Sequence, residues 1–151
     1  MNKKIFLILS IVILLSGCMK DNKPLKVLKL DEKACKITKN IDTHGGFLGD
    51  GERFSKIECN SFNKKEWNNM PLPEELDEVL SMEICNDKEC KSTYERYSIP
   101  KNKGYYFFID RHSDSKDKYD YKDLNNRSSY NFTIGIYDSS TKTIYYYELD
   151  T

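Results

Sequence analysis

Two short segments of the sequence hold residue types that could do chemistry. Residues 42–52 read DTHGGFLGDGE, with four of the seven glycines and with His44 between Asp42 and Asp50. In the second segment, His112 follows Asp110 at a distance of two residues. If the two segments met, their imidazoles and carboxylates could bind a divalent metal, or could form a general base that is oriented by an acid.

A purely structural interpretation of the same residues is the one we expect to hold. Glycines permit positive φ in a wide loop, aspartates cap turns, and the histidines would be polar surface residues. Neither segment has a spaced metal motif such as His-Glu-x-x-His, and the sequence has no Gly-x-Ser-x-Gly elbow. A phosphate cradle is disfavoured because Asp42 and Asp50 would repel the anion. We predict no metal and no cofactor, and favour a protein that is not an enzyme.

The elements that would position these segments follow from the hydrophobic pattern. Residues 33–41 and 52–59 alternate and predict a hairpin with residues 42–51 at its tip. Residues 104–109, GYYFFI, are apolar on both faces and predict a central strand that ends at Asp110. Residues 113–128 are polar and predict a mobile loop.

The remaining pattern predicts one helix and a second hairpin. Residues 72–80 place apolar side chains on one helical stripe, and acidic residues near the start of the helix complement its dipole. Residues 130–137 and 143–149 alternate around a four-residue loop, 139–142. That loop length pairs Asp138 with Thr143 and Phe132 with Leu149, which keeps the apolar faces together. The prediction is an α+β fold, a small antiparallel sheet with one helix.

The N-terminus has the pattern of a lipoprotein signal. Lys3 and Lys4 precede an apolar run over residues 5–15, too short to span a bilayer, and the run ends in Leu-Ser-Gly-Cys18. This resembles a bacterial lipobox, which implies cleavage before Cys18 and a diacylglyceryl group on its thiol; the alternative is an ordinary signal peptide that contains a cysteine. We assign residues 1–17 to the signal peptide, 18–28 to the lipidated cysteine and a linker, and 29–151 to one domain.

Four cysteines remain after Cys18. Cys35 and Cys59 are equidistant from residue 47 and would face each other across the first hairpin, while Cys85 and Cys90 enclose four residues. In an exported domain this favours two disulfides with these pairings. A four-cysteine zinc site has poor spacing here, and four free thiols are the remaining alternative.

Charge argues against a nucleic-acid partner. The chain has 24 basic and 24 acidic residues, and removal of the signal peptide leaves 22 basic and 24 acidic ones. Nonspecific binding to DNA or RNA needs a basic surface.

Several segments resemble a family of small, uncharacterised, secreted or lipid-anchored proteins of low-GC Gram-positive bacteria. The resemblance lies in residues 42–51, in Trp67 with residues 71–73, in 104–112, and in 131–133 through 145–151. That family usually has histidine where this chain has Leu48, a departure that weakens a metal or catalytic interpretation of the loop. The resemblance implies an exported or membrane-anchored location and no activity.

The leading functional hypothesis is therefore a binding module on the extracytoplasmic face of the membrane. Its ligand would be an envelope component or an extracellular protein, and Tyr106, Tyr137 and Tyr146, on strand faces opposite the proposed core, would form the recognition surface. The alternative is that these tyrosines pack beneath the helix. The alternatives are a metal-dependent or hydrolytic enzyme that uses His44 and His112, and an exported immunity or inhibitor protein.

Overall fold

A six-stranded antiparallel sheet forms the centre of the structure, a computed structural model that describes residues 21–45, 49–85, 89–101, 103–113 and 115–151. The predicted signal peptide, Cys18 and residues 46–48 of the glycine-rich loop lie outside these ranges. The α+β class predicted from the sequence is confirmed.

The elements in chain order are α1 (Lys23–Val27), β1 (Cys35–Asp42), β2 (Gly51–Cys59), β3 (Asn68–Asn69), α2 (Glu74–Ser81), β4 (Glu83–Cys85), β5 (Cys90–Ser92), α3 (Thr93–Tyr97), β6 (Tyr105–Asp110), a short 3-10 helix (Leu124–Asn126), β7 (Asn131–Asp138) and β8 (Thr143–Asp150). The main sheet has the order β1-β2-β8-β7-β6-β3, and β4 and β5 form a separate small ribbon.

The first hairpin forms, but with a bulge that the alternation does not predict. The β1–β2 register shifts by one residue between Ile37 and Lys39, so Ile37 and Ile41 lie on opposite faces of the sheet and not on the same face as predicted. Cys35 lies opposite Cys59 in the β1–β2 register, and the two are joined by a disulfide with a Cα–Cα distance of 4.1 Å. A second disulfide joins Cys85 to Cys90, which also lie opposite each other, in the β4–β5 ribbon. Both predicted pairings are present.

The C-terminal hairpin also has the predicted register. Asp138 lies opposite Thr143 and Phe132 opposite Leu149. The Asp138 carboxylate holds the turn, since it accepts bonds from the Ser140 N–H at 2.9 Å and from the Thr141 hydroxyl at 2.8 Å. These bonds give a physical reason for the four-residue loop, because the aspartate satisfies donors that a tight turn leaves free.

Both faces of the sheet are covered, and each has its own core. The predicted helix, α2, packs Leu76, Val79 and Leu80 on one face together with α3 and the 3-10 helix. The other face is covered by α1, whose Leu25 packs with the following Leu28 on the sheet. The sequence predicts a linker up to residue 28, but residues 23–28 contribute to the core. Alternating side chains of β8 therefore enter two different cores.

Two predictions about β6 and the segment after it are wrong. The strand is not central, because β7 and β8 occupy the middle of the sheet and only the two-residue β3 lies outside β6. Its side chains are apolar because both faces are covered, which does not depend on the position in the sheet. Residues 113–128 are not simply a loop, since they include the 3-10 helix with a fully buried Leu124.

The three tyrosines predicted to form an exposed recognition surface are buried. Tyr106, Tyr137 and Tyr146 expose 7%, 9% and 0% of their surface. Tyr106 lies in the α2-side core, and the other two lie in the core beneath α1. The prediction failed because it assumed that one face of the sheet was open to solvent. The three side chains therefore do not form an exposed surface on one face of the sheet.

Candidate functional site

The first candidate site is a network of charged side chains at one end of the sheet, on the α1 face. At this end β1, β6 and β8 finish and β2 and β7 begin. Pairing across the strands sets Glu148 between Arg53 on β2 and Thr133 on β7, with all three side chains on one face. We call this set the His44 network; its charged members are Asp21, Lys23, Asp42, His44, Arg53, Arg111, Glu148 and Asp150.

His44 is held between two carboxylates. Its Nδ1 lies 2.7 Å from Asp42 Oδ1, and its Nε2 lies 3.0 Å from Asp150 Oδ2. The His44 backbone N–H also donates to Asp42, at 3.1 Å, so the turn after β1 fixes the ring locally. Gly51 permits this geometry, because a Cβ at that position would lie 2.6 Å from the His44 Cα.

Asp150 links the two sequence segments in which the histidines occur. Its Oδ2 lies 3.0 Å from His44 Nε2, and its Oδ1 lies 2.8 Å from Arg111 Nη2. The same guanidinium donates from Nε to the Thr133 hydroxyl at 3.0 Å. The glycine-rich loop and the end of β6 therefore do meet, through Arg111.

Glu148 is the buried acid of the network. Its side chain is 1% exposed, and it accepts from Lys23 Nζ at 2.6 Å and from the Tyr146 hydroxyl at 2.6 Å. Arg111 lies 3.3 Å away. Burial raises the pKa of Glu148, but the donors outweigh it and the pKa lies below its usual value. Glu148 is thus a buried anion at neutral pH.

Arg53 ties the N-terminal segment to this network. Its guanidinium donates to Asp21 from one nitrogen and to Asp42 from another. Burial lowers the pKa of Arg53, but the hydrogen bond that Arg53 donates to Asp21 and the charges of Asp42 and Asp21 raise it overall. Asp21, two residues before α1, is therefore bonded to the sheet directly.

The network has the residue types of a metal site, but its ligands already have cationic partners. One ligand atom each from His44, Glu148 and Asp150 lies within 4.8 Å of the others. Lys23 and Arg111 contact the two carboxylates, so a divalent cation would have to displace them. A histidine that acts as a general base needs a ring nitrogen that faces the substrate. His44 Nε2 faces Asp150 instead, so a carboxylate occupies the position that a substrate would need.

The other residues predicted for this site lie elsewhere. Asp110 is buried, pairs with Arg127 at 2.6 Å, and accepts the His112 backbone N–H at 3.0 Å. His112 Nε2 lies 3.2 Å from the Ser129 hydroxyl. Asp50 contacts its own loop, where its carbonyl accepts from Gly45 at 3.4 Å. Of the predicted set, the structure joins only Asp42 and His44 within the network.

The second candidate site is a groove along β6. Its cavity volume is about 400 Å³. The lining is largely aromatic and carries one ion pair, between Lys29 and Glu66; it consists of Lys29, Glu66, Asn68, Tyr106, Phe107, Phe108, Tyr119 and Tyr121. Tyr119 is 48% exposed. The groove therefore combines an aromatic wall with access from solvent.

The groove also faces backbone groups of an open sheet edge. Some backbone groups of β6 point outward, which means away from the neighbouring strand β7. The outward Gly104 C=O accepts from Met70 N–H at 3.1 Å, and the outward Asp110 N–H donates to the Lys118 C=O at 2.7 Å. Since outward and inward residues alternate, Phe108 also presents its N–H and C=O outward. Among the described residues no hydrogen bond meets these groups, because β3 pairs only with Tyr105 and Tyr106.

Comparison with protein-family models, curated proteins and solved structures finds no significant match to this chain. Within the described ranges, every helix is too short or too polar to cross a bilayer.

Proposed function

We propose that the chain is a lipid-anchored protein of the extracytoplasmic membrane face, and that its domain binds an envelope or extracellular protein through the β6 groove. The lipobox at residues 15–18 supports the anchor. The groove supports the binding activity.

The observation that carries the proposal is the open edge at Phe108 inside an aromatic groove. An extended polypeptide segment could pair with the Phe108 N–H and C=O and continue the sheet, as in strand addition. Tyr119 and Tyr121 would then contact alternate side chains of the ligand, since aromatic residues are enriched where proteins bind each other. The ligand class that fits is an extended segment of a protein.

The test is selection of a random peptide library on the full-length protein. We expect the selected peptides to bind Tyr119→Lys at least tenfold more weakly than the native chain. Ile84→Lys is the matched control, because Ile84 is 44% exposed and lies outside the groove lining. Peptides that bind both variants alike, or no selection at all, would argue against the groove.

The anchor has a separate test. Cys18→Ser should abolish lipid labelling and leave the signal uncleaved by the lipoprotein peptidase. Mass spectrometry of the native protein should show a lipid-modified Cys18 at its N-terminus. An unmodified Cys18 in the processed protein would disprove the anchor without affecting the groove.

A metal-dependent enzyme is the second candidate, and the close approach of His44, Glu148 and Asp150 is the observation in its favour. Calorimetry with Zn²⁺ or Mn²⁺ tests it. Stoichiometric binding that is lost in His44→Ala would favour this alternative, whereas the ion pairs of the network lead us to expect no saturable binding.

A further inference from the structure

The segment that follows the proposed anchor is fastened to the sheet from its first described residue. Asp21 accepts from Arg53, and Lys23 pairs with the buried Glu148 at 2.6 Å. Leu25 and Leu28 are buried in the core beneath them. This part of the chain cannot act as a flexible spacer while these contacts hold.

The sheet has a specific place for this segment at Gly135 of β7. A Cβ at Gly135 would lie 2.8 Å from Leu28 Cδ2 and 2.9 Å from the Trp67 ring. The absence of a side chain there lets Leu28 and Trp67 pack directly on the strand. Gly135 thus leaves the space on the sheet that the segment with α1 occupies.

Docking of α1 shortens the tether. Cys18 precedes Asp21 by three residues, which span at most about 11 Å, whereas a free linker from Cys18 to Leu28 would reach about 35 Å. A domain of this size has a radius of gyration of about 14 Å. This tether is shorter than that radius, so the surface of the domain around Asp21 stays within about 11 Å of the membrane to which Cys18 is attached.

Charge indicates which face touches it. Residues 21–33, which include α1 and the turn after it, contain four lysines and three acidic residues. Helix α2, on the opposite face of the sheet, contains four acidic residues and no basic residue. Basic segments beside a lipid anchor are attracted to anionic lipids, and an acidic helix is repelled by them.

We propose that the α1 face of the domain rests on anionic lipid headgroups, with α2 directed away from the membrane. This inference depends on the lipid attachment at Cys18 proposed above. The partner is the lipid surface itself, which Lys26 and Lys33, both exposed, would contact.

The experiment uses full-length, lipidated protein in nanodiscs of phosphatidylglycerol and phosphatidylcholine that carry a gadolinium-chelating lipid. Amide signals of α1 should lose most of their intensity, while those of α2 should keep theirs. A glycine- and serine-rich insertion between Met19 and Lys20, longer than the native tether, should remove this difference.

Charge reversal tests the lipid contact. Lys26→Glu with Lys33→Glu should reduce the difference between α1 and α2, whereas Lys116→Glu with Lys122→Glu, on the segment that packs on the α2 side, should leave it unchanged. Dispersed amide spectra would show that each variant folds.

Equal signal loss in α1 and α2 of the native protein, with lipid found on Cys18, would overturn the proposed orientation. Equal effects of the two charge reversals would overturn the role of the lysines. Absence of lipid on Cys18 is a different result, because it would contradict the anchor.

Discussion

Removal of the Glu52 carboxylate should cost the domain a large part of its stability. Glu52, at the start of β2 on the α2 side, accepts two bonds from Arg96 at 2.7 Å each. It also accepts from the hydroxyls of Tyr97 at 2.7 Å and Tyr147 at 2.9 Å. Glu52→Ala would leave a partly buried guanidinium and two phenols without their acceptor.

The size of the effect follows from burial. Breaking a buried ion pair by removing one partner costs about 3–5 kcal/mol. The Glu52 and Arg96 side chains remain 16% and 23% exposed, so water can partly replace the lost bonds. We therefore expect the lower end, about 3 kcal/mol, or a fall in Tm of roughly 10 °C for a domain of this size.

Urea unfolding followed by Trp67 fluorescence measures this cost, because Trp67 lies on the opposite face and reports the global transition. Glu58→Ala is the control: it removes the same group from the same strand at an exposed position, and should cost less than about 0.5 kcal/mol. Equal costs for the two variants would refute the reasoning.

The pH dependence of the same pair has a definite sign. Burial raises the pKa of Glu52, but Arg96 and the phenols outweigh it and hold the pKa below the ordinary 4.5. A carboxylate with a depressed pKa contributes stability above its unfolded pKa and loses it as the pH falls through the folded value. The stability difference between the native chain and Glu52→Gln should therefore shrink below about pH 4.5.

Further predictions concern the backbone, the first disulfide and the His44 network. Gly104→Ala should destabilise the domain by more than about 3 kcal/mol in urea unfolding, since its Cβ would lie 1.8 Å from the Tyr137 carbonyl oxygen; a loss below 1 kcal/mol would contradict this. Replacement of Cys35 and Cys59 by alanine should cost about 3 kcal/mol, because the bond closes a loop with a sequence separation of 24; unchanged urea midpoints would contradict it. Arg53→Gln should speed proteolysis of the segment before α1, because Asp21 loses the guanidinium that bonds it to the sheet, and equal cleavage rates would oppose this.

Local pairing was predictable from the sequence. The β1–β2 and β7–β8 hairpins join strands that are neighbours in the chain, so loop length and alternation indicate which residues pair. The one-residue shift within β1 has no such signal. The helix at 74–81 was predictable for the same reason, because its apolar stripe lies within nine residues. In the candidate site, Asp42 and His44 were found because both belong to one turn.

Long-range pairing was not predictable in this way. Arg53 and Glu148 lie opposite each other only because β2 pairs with β8, across ninety-five positions of the chain. Arg111 reaches Asp150 across β7, and neither residue has a local pattern that indicates this contact. The network that surrounds His44 was therefore missed except for the carboxylate nearest in sequence.

One signal in the sequence did point to the α1 face. From Ile144 to Tyr147, β8 has four apolar or aromatic residues in succession, and a strand open to solvent on one face would alternate with polar residues. Such a strand requires cover on both faces, and α2 can supply only one. The second cover had to come from another segment with apolar side chains, and residues 25–30 contain Leu25, Leu28 and Leu30. The same requirement that buries Tyr146 thus docks the segment after Cys18 on the sheet.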